Sequence, residues 1–142
     1  MPKVKIESAE LKLDIGCGNF KKEGYIGFDK LDFGQEIVWD INNGIPVPDD
    51  SVIRINSTHF IEHLNSAEVY LFIKELVRVC KKDAEIYIRC PVDTHISSLY
   101  LCHHSLWNEQ KFKAVADDEE KLELISTESS ESEVWVTFKV IK

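Results

Sequence analysis

The sequence predicts an α/β fold: a mostly parallel sheet whose last two strands form an antiparallel hairpin. Three observations predict it. Leu11, Leu13 and Ile15 alternate with Lys12 and Asp14 and run straight into a glycine turn, Gly16-Cys17-Gly18, as a strand leaving the core does. Residues 66–81 carry a helical apolar stripe between two strand-like runs. Residues 121–127 (KLELIST) and 134–141 (VWVTFKVI) are strands joined by the short turn ESSES, and strands joined that closely must be antiparallel.

In chain order, residues 1–10 suit a short edge strand (Val4, Ile6) or a tail. Strand one is 11–15. The connection over residues 16–24 is too short for a regular crossover helix, so strand two, 25–29, follows an irregular turn. Strand three is 36–41 (EIVWDI), reached through LDFGQ. Asn42-Asn43-Gly44 marks a turn, and IPVPDD is an extended loop stiffened by proline. Strand four is 52–57 (VIRINS), running into THFIEHL, a turn and short helix. The helix over 66–81 places Val69, Phe72, Ile73, Leu76, Val77 and Cys80 on one face. Asn65 is its cap and Glu68 a capping-box partner; Lys81-Lys82 suit its negative end. Strand five is 85–90 (EIYIRC), closed by Pro91. A polar loop over 92–104 leads to a helix over 105–116, with Ser105 as its cap.

Composition bounds the function. At 142 residues, 44% hydrophobic and 30% charged, the chain reads as one soluble globular domain. No apolar run is long enough to span a membrane, and the start MPKVKIESAE is too polar for a signal peptide. Cys17, Cys80, Cys90 and Cys102 form no Cys-x-x-Cys pair, which speaks against a zinc ribbon or redox motif and suits reduced thiols in a cytoplasm. The net charge is −8, and residues 117–133 hold eight acids and one lysine. No basic stripe exists for general nucleic-acid binding; the acidic run reads as a solvated helix end and turn.

Ligands of parallel α/β sheets bind at the carboxyl ends of the strands. The glycine turn ends strand one and Asp29 ends strand two, where a carboxylate can accept from both hydroxyls of a ribose. A nucleoside-containing ligand is the first expectation. A dinucleotide fingerprint is not met, because its third glycine position is Lys21.

LDIGCG followed by Asp29, VWDI and the segment PDDSVIRINSTHFIEHL resembles the class I (Rossmann-like) S-adenosylmethionine-dependent methyltransferases, over nearly the whole chain from Leu11 onward. The resemblance implies six parallel strands and a reversed seventh, S-adenosylmethionine as cofactor, and methyl transfer to a small-molecule or sugar-like acceptor. It implies that Asp14, Gly16, Cys17 and Gly18 shape the pocket for the methionine end. Asp29 would hold the ribose, Asp40 and the Ile41 backbone the adenine, and Ser57 and His59 would line the pocket after strand four. Backbone N–H groups of the glycine turn suit the methionine carboxylate. A non-catalytic S-adenosylmethionine or nucleoside binder is the main alternative. The family's helices between strands one and two, two and three, and three and four are missing or nearly so, and Asp83-Ala84 stands where Gly-Gly is usual. A thinly covered sheet flank suggests a homodimer through exposed apolar strand faces. No Asn-Pro-Pro-Tyr follows strand four, which makes a base-modifying enzyme a poorer fit.

The histidines offer rival chemistry. His59-Phe60-Ile61-Glu62-His63 matches the inverzincin pattern His-x-x-Glu-His. On a helix His59 and His63 would share a face and hold a metal, with Glu75 or Glu85 as third ligand. The segment is better read as part of the cofactor pocket, with no metal expected. His63 is the candidate general base. His103-His104 beside Cys102 suggests a metal, but side chains adjacent in sequence rarely converge without a further ligand, so the stretch reads as a loop over the substrate site; His95 lies just past strand five, where an acceptor could sit. Trp39, Trp107, Trp135, Tyr25 and Phe28 read as packing residues.

Overall fold

The computed structural model describes residues 10–142; the edge strand or tail expected over 1–9 lies outside the described residues. Seven strands and two α-helices follow in the order β1 (Leu11–Ile15), β2 (Ile26–Asp29), β3 (Ile37–Val38), β4 (Val52–Thr58), α1 (Ser66–Val79), β5 (Cys80–Pro91), α2 (Glu109–Asp118), β6 (Leu122–Ser129) and β7 (Glu133–Val140). They form one sheet ordered β3-β2-β1-β4-β5-β7-β6. β1 pairs in parallel with β2 and β4, β2 with β3 and β4 with β5. β7 lies antiparallel to both β5 and β6, so it alone is reversed.

Several boundaries differ from the sequence expectation. β3 is two residues long, because Asp40 leaves the sheet to cap a 3-10 turn at Ile41–Asn43. β5 begins at Cys80, directly where α1 ends, and takes up the extra residues in a register shift between its pairings Val52↔Cys80 and Arg54↔Glu85. Asp83 sits in that bulge at φ 70, the left-handed conformation that favours glycine. The cap of α2 is Asn108, whose side chain accepts from the Lys111 N–H. Ser105 is committed elsewhere: its hydroxyl donates to the Ile61 carbonyl and accepts from Trp107 Nε1. The Asn65 and Glu68 capping box of α1 forms as expected.

Crossover handedness decides which face is covered. The steps β3→β4, β4→β5 and β5→β6 all run the same way across the sheet, so right-handed crossovers lie on one face. That face holds α1, α2 and the loop after β3. The steps β1→β2 and β2→β3 run the other way, and their crossovers belong on the opposite face. Those are the connections without helices.

Strand alternation matches this one-sided cover. Leu11, Leu13 and Ile15 of β1, Val52 and Ile55 of β4, Ile86, Ile88 and Cys90 of β5, and Val134, Val136, Phe138 and Val140 of β7 enter one core with Phe72, Leu76 and Phe112. The opposite face presents Lys12, Arg54, Asn56, Glu85, Tyr87, Arg89, Thr137 and Lys139, all exposed or half-buried. Arg54 pairs with Glu85 and Arg89 with Glu133, while the Arg89 guanidinium stacks over Trp135 at 4.7 Å. Among the described residues the uncovered face is therefore largely polar.

Phe138 packs edge-on to Phe112, which stacks on Trp107. Phe138→Ala is expected to cost about 3–5 kcal/mol of unfolding free energy by chemical denaturation. Arg54→Ala, on the other face with its ion pair in solvent, should cost less than about 1 kcal/mol.

Candidate ligand cavity

A cavity of about 1040 Å³ opens at the carboxyl ends of β1, β2, β3 and β4, within or slightly above the size range of small-molecule sites. Its apolar wall includes Trp39 and Phe60, backed by Phe28 and Phe72 in a chain of aromatic contacts with centroids 5.2–6.3 Å apart. Phe20, Leu31 and Phe33 stand exposed at its rim.

The glycine turn forms one side. Gly16 adopts φ +72, and a Cβ there would lie 2.5 Å from the Phe60 ring; only glycine tolerates both the conformation and the contact. The Gly16 and Cys17 amides donate to the Phe28 carbonyl at 2.7 and 3.1 Å, and Gly18 N–H donates to Asp29 Oδ2 at 2.9 Å. These three amides are thus spent inside the protein, which corrects the expectation that the turn offers them to a carboxylate. Cys17 is buried; burial first, then Asp14 and Asp29, push its thiol up to about 11, so it stays neutral.

Asp14 is 3% exposed. Its Oδ2 accepts from Lys22 N–H at 2.8 Å and its Oδ1 from Asn56 Nδ2 at 3.0 Å. Asp29 Oδ1 accepts from Leu31 N–H at 3.2 Å. A carboxylate has about four acceptor positions, so Asp29 keeps capacity for hydroxyl donors. Asp40 accepts from Asn42 N–H at 2.9 Å and lies 3.5 Å from Lys30 Nζ; the amide bond first, then the lysine, hold its carboxyl below the usual range.

Of the residues expected at the site, Asp14, Gly16, Cys17, Gly18, Asp29, Asp40, Ile41, His59 and His63 line this one cavity. Ser57 does not. It faces the core, fully buried, with its hydroxyl donating to the Ile15 carbonyl at 3.1 Å. Its neighbours Asn56 and Thr58 line the cavity instead, as alternation from the buried Ile55 requires. Trp39, Phe60 and Lys30 were also missed; Trp39 adjoins the expected Asp40, the one local signal for it.

The His-x-x-Glu-His segment is not a helix bearing two histidines on one face. His59 has φ 59 and the 3-10 turn spans only Ile61–His63. His59 Nε2 lies 2.7 Å from Glu133 and its Nδ1 3.5 Å from the buried Glu62. Both carboxylates raise its pKa, Glu62 first; Glu133 is nearer but more solvated, so its charge is screened more. His95 Nδ1 caps a separate 3-10 turn at Ile96–Leu99.

No family model matches the sequence, and no curated protein matches it. Solved structures do match in fold. A SAM-dependent methyltransferase from Archaeoglobus fulgidus superposes with TM-score 0.70 at 18% identity, covering 92% of this chain and 86% of its own. The N-methyltransferase NodS from Bradyrhizobium japonicum, in complex with S-adenosyl-L-homocysteine, gives TM-score 0.69 at 11% identity, covering 94% and 79%. The 4+2 cyclase SpnF gives TM-score 0.72 at 12% identity, covering 96% and 76%. The chain has the Rossmann-like fold of the S-adenosylmethionine-dependent methyltransferases, in a form with few helices. No helix among the described residues is long and apolar enough to cross a membrane.

Because the folded-state pKa of His59 is raised, its ion pairs contribute fully below the ordinary value of about 6.5. That contribution is lost as pH rises through the raised value. As pH rises above about 6.5, the melting temperature of the wild type should fall more than that of His59→Asn, whose side chain also tolerates positive φ.

Proposed function

We propose that the chain binds S-adenosylmethionine in this cavity and transfers its methyl group to a small-molecule or sugar-like acceptor. The observation that carries the reading is the pair Asp29, at the end of β2, and Asp40, two residues past β3, which line one cavity together with Trp39. Asp29 has acceptor capacity left for the two ribose hydroxyls. Asp40, kept ionised by Asn42 and Lys30, can accept from an adenine amino group, and Trp39 and Phe60 offer apolar area to the base. The likeness in fold to methyltransferases supports the same ligand. The residues present thus fit the cofactor.

Bound S-adenosylmethionine supplies a methyl group already activated on a sulfonium, so the protein's task is to orient and desolvate. Asp14 holds the glycine turn in register and places negative charge near a cationic ligand. His63 is the candidate for taking the acceptor's proton. Its Nδ1 lies 2.9 Å from the Cys102 carbonyl; a carbonyl only accepts, so Nδ1 carries the proton and the neutral ring has its lone pair on Nε2.

A second reading is binding without turnover. The exposed rim of Phe20, 92% accessible, with Leu31 and Phe33 favours it, because no described segment covers the cavity and methyl transfer needs water kept out. Formation of S-adenosylhomocysteine with any acceptor separates the two readings.

In calorimetric titration, S-adenosylmethionine is expected to bind the wild type and to lose well over tenfold in affinity to Asp29→Ala, about 2–3 kcal/mol. Thermal melting of the variant checks that the loss is not unfolding. Absence of wild-type binding overturns the proposal.

A further inference from the structure

The loop between β5 and α2 folds back onto the 3-10 turn that ends at His63. His104 N–H and Ser105 N–H both donate to the Glu62 carbonyl, at 2.7 and 3.1 Å, and Ser105 Oγ donates to the Ile61 carbonyl at 3.0 Å. This strap carries Cys102 and His103 to a histidine 39 positions earlier in the chain. One ligand atom each from His63, Cys102 and His103 lies within 4.8 Å of the other two, and the two imidazole rings meet edge-on with centroids 4.8 Å apart.

Two buried atoms of these same segments are unpaired. His103 Nδ1 is buried and has no hydrogen-bond partner, and neither has Oε1 of Glu62, a carboxylate 2% exposed. Buried polar atoms are rarely left this way without an ion or water to meet them. The other Glu62 oxygen lies 3.9 Å from His63 Nε2, so negative charge stands beside the cluster. His63 Nε2 keeps a free lone pair because the Cys102 carbonyl fixes the ring's tautomer, as outer-shell carbonyls do for metal-binding histidines.

We propose that His63, Cys102 and His103 form a site for a divalent transition-metal ion of the zinc class, open at its fourth position. Two imidazoles and a thiolate select zinc-like ions over magnesium or calcium, and three protein ligands with one vacant position is the form of a reactive rather than a structural zinc site. Ligand bonds of 2.0–2.3 Å put tetrahedral donors about 3.5 Å apart. Binding therefore draws the donors together from within 4.8 Å to that spacing, and Cys102 and His63 are both exposed. On binding, Cys102 Sγ releases its proton to solvent and no electron moves. His63 also lines the cavity, so an ion held there takes an oxygen or sulfur anion of the acceptor at its open position, and His63 then acts as a ligand instead of a base. This role rests on the methyl-transfer reading; the metal site itself does not.

The test is titration of the metal-free full chain with cobalt(II) chloride under reducing conditions. One equivalent is expected to bind with the visible bands of tetrahedral cobalt and a near-ultraviolet thiolate charge-transfer band, and zinc should displace it. Cys102→Ser should abolish the charge-transfer band, and His103→Asn and His63→Ala should each weaken binding at least tenfold. No band in the wild type, or a band that survives Cys102→Ser, overturns the site. S-adenosylhomocysteine is titrated into the same samples. An intact cobalt site without nucleoside binding keeps the metal site and rejects the cofactor reading; nucleoside binding without cobalt does the reverse.

Discussion

The carboxylate of Asp14 is the interaction on which the cavity depends. It sits one residue before the end of β1, 3% exposed, and it ties the far end of the glycine loop, at Lys22 N–H, to Asn56 on the neighbouring strand. A loop of this length without a helix leaves a run of backbone donors that must be met by something. Phe28 O takes two of them, Asp29 a third, Cys17 O a fourth and Asp14 a fifth. The same bonds that satisfy the loop set the position of Asp29. The ligand wall and the loop's hydrogen-bond accounting are one structure.

The other two shortened connections solve the problem in the same way. Between β2 and β3, the buried Gln35 donates to the carbonyls of Asp29, Leu31 and Ile37 and accepts from Phe33 N–H. Between β3 and β4, Glu75 and Arg78 of α1 reach across: Glu75 accepts from Ile45 N–H, and Arg78 donates to the carbonyls of Ile45 and Val47. A few polar side chains thus stand in for three crossover helices. They supply hydrogen bonds but little apolar burial, which is why the face that two of those helices would cover must be polar.

That polarity was legible in the sequence. Strands buried on both faces read as continuous apolar runs, whereas LKLDI alternates and VIRINST, EIYIRC and VWVTFKV carry Arg54, Asn56, Glu85, Arg89, Thr137 and Lys139 at their outward positions. Read for one strand, the alternation placed β1; read for all four, it marks the uncovered face as largely polar. The antiparallel terminal hairpin and the capping box of α1 were equally readable, because they rest on local spacing. Ser57 was misplaced although its parity with Ile55 turns it inward, so the family pattern overrode the local signal. The approach of Cys102 and His103 to His63 was not readable at all. It depends on backbone bonds to Glu62 and Ile61 between segments far apart in the chain, and no pattern within either segment announces it.

The missing helices bear less on the ligand cavity than their number suggests. The cavity is lined from the ends of β1, β2, β3 and β4, from the shortened connections themselves (Gly16 to Lys22, Lys30 to Phe33, Trp39 to Ile41), and from Leu64 and Glu68 at the start of α1. In a parallel sheet the crossover helices pack on the faces, while the site is built from the loops at the carboxyl edge. Trimming the faces therefore removes core area and its stabilisation, about 25 cal/mol for each Å² of apolar surface no longer buried, and leaves the carboxylates of Asp29 and Asp40 in place. What the trimming does remove is material to close over the ligand. The strap from β5 to α2 packs on the 3-10 turn that ends at His63, at the edge of the cavity, and it is there that His63, Cys102 and His103 converge.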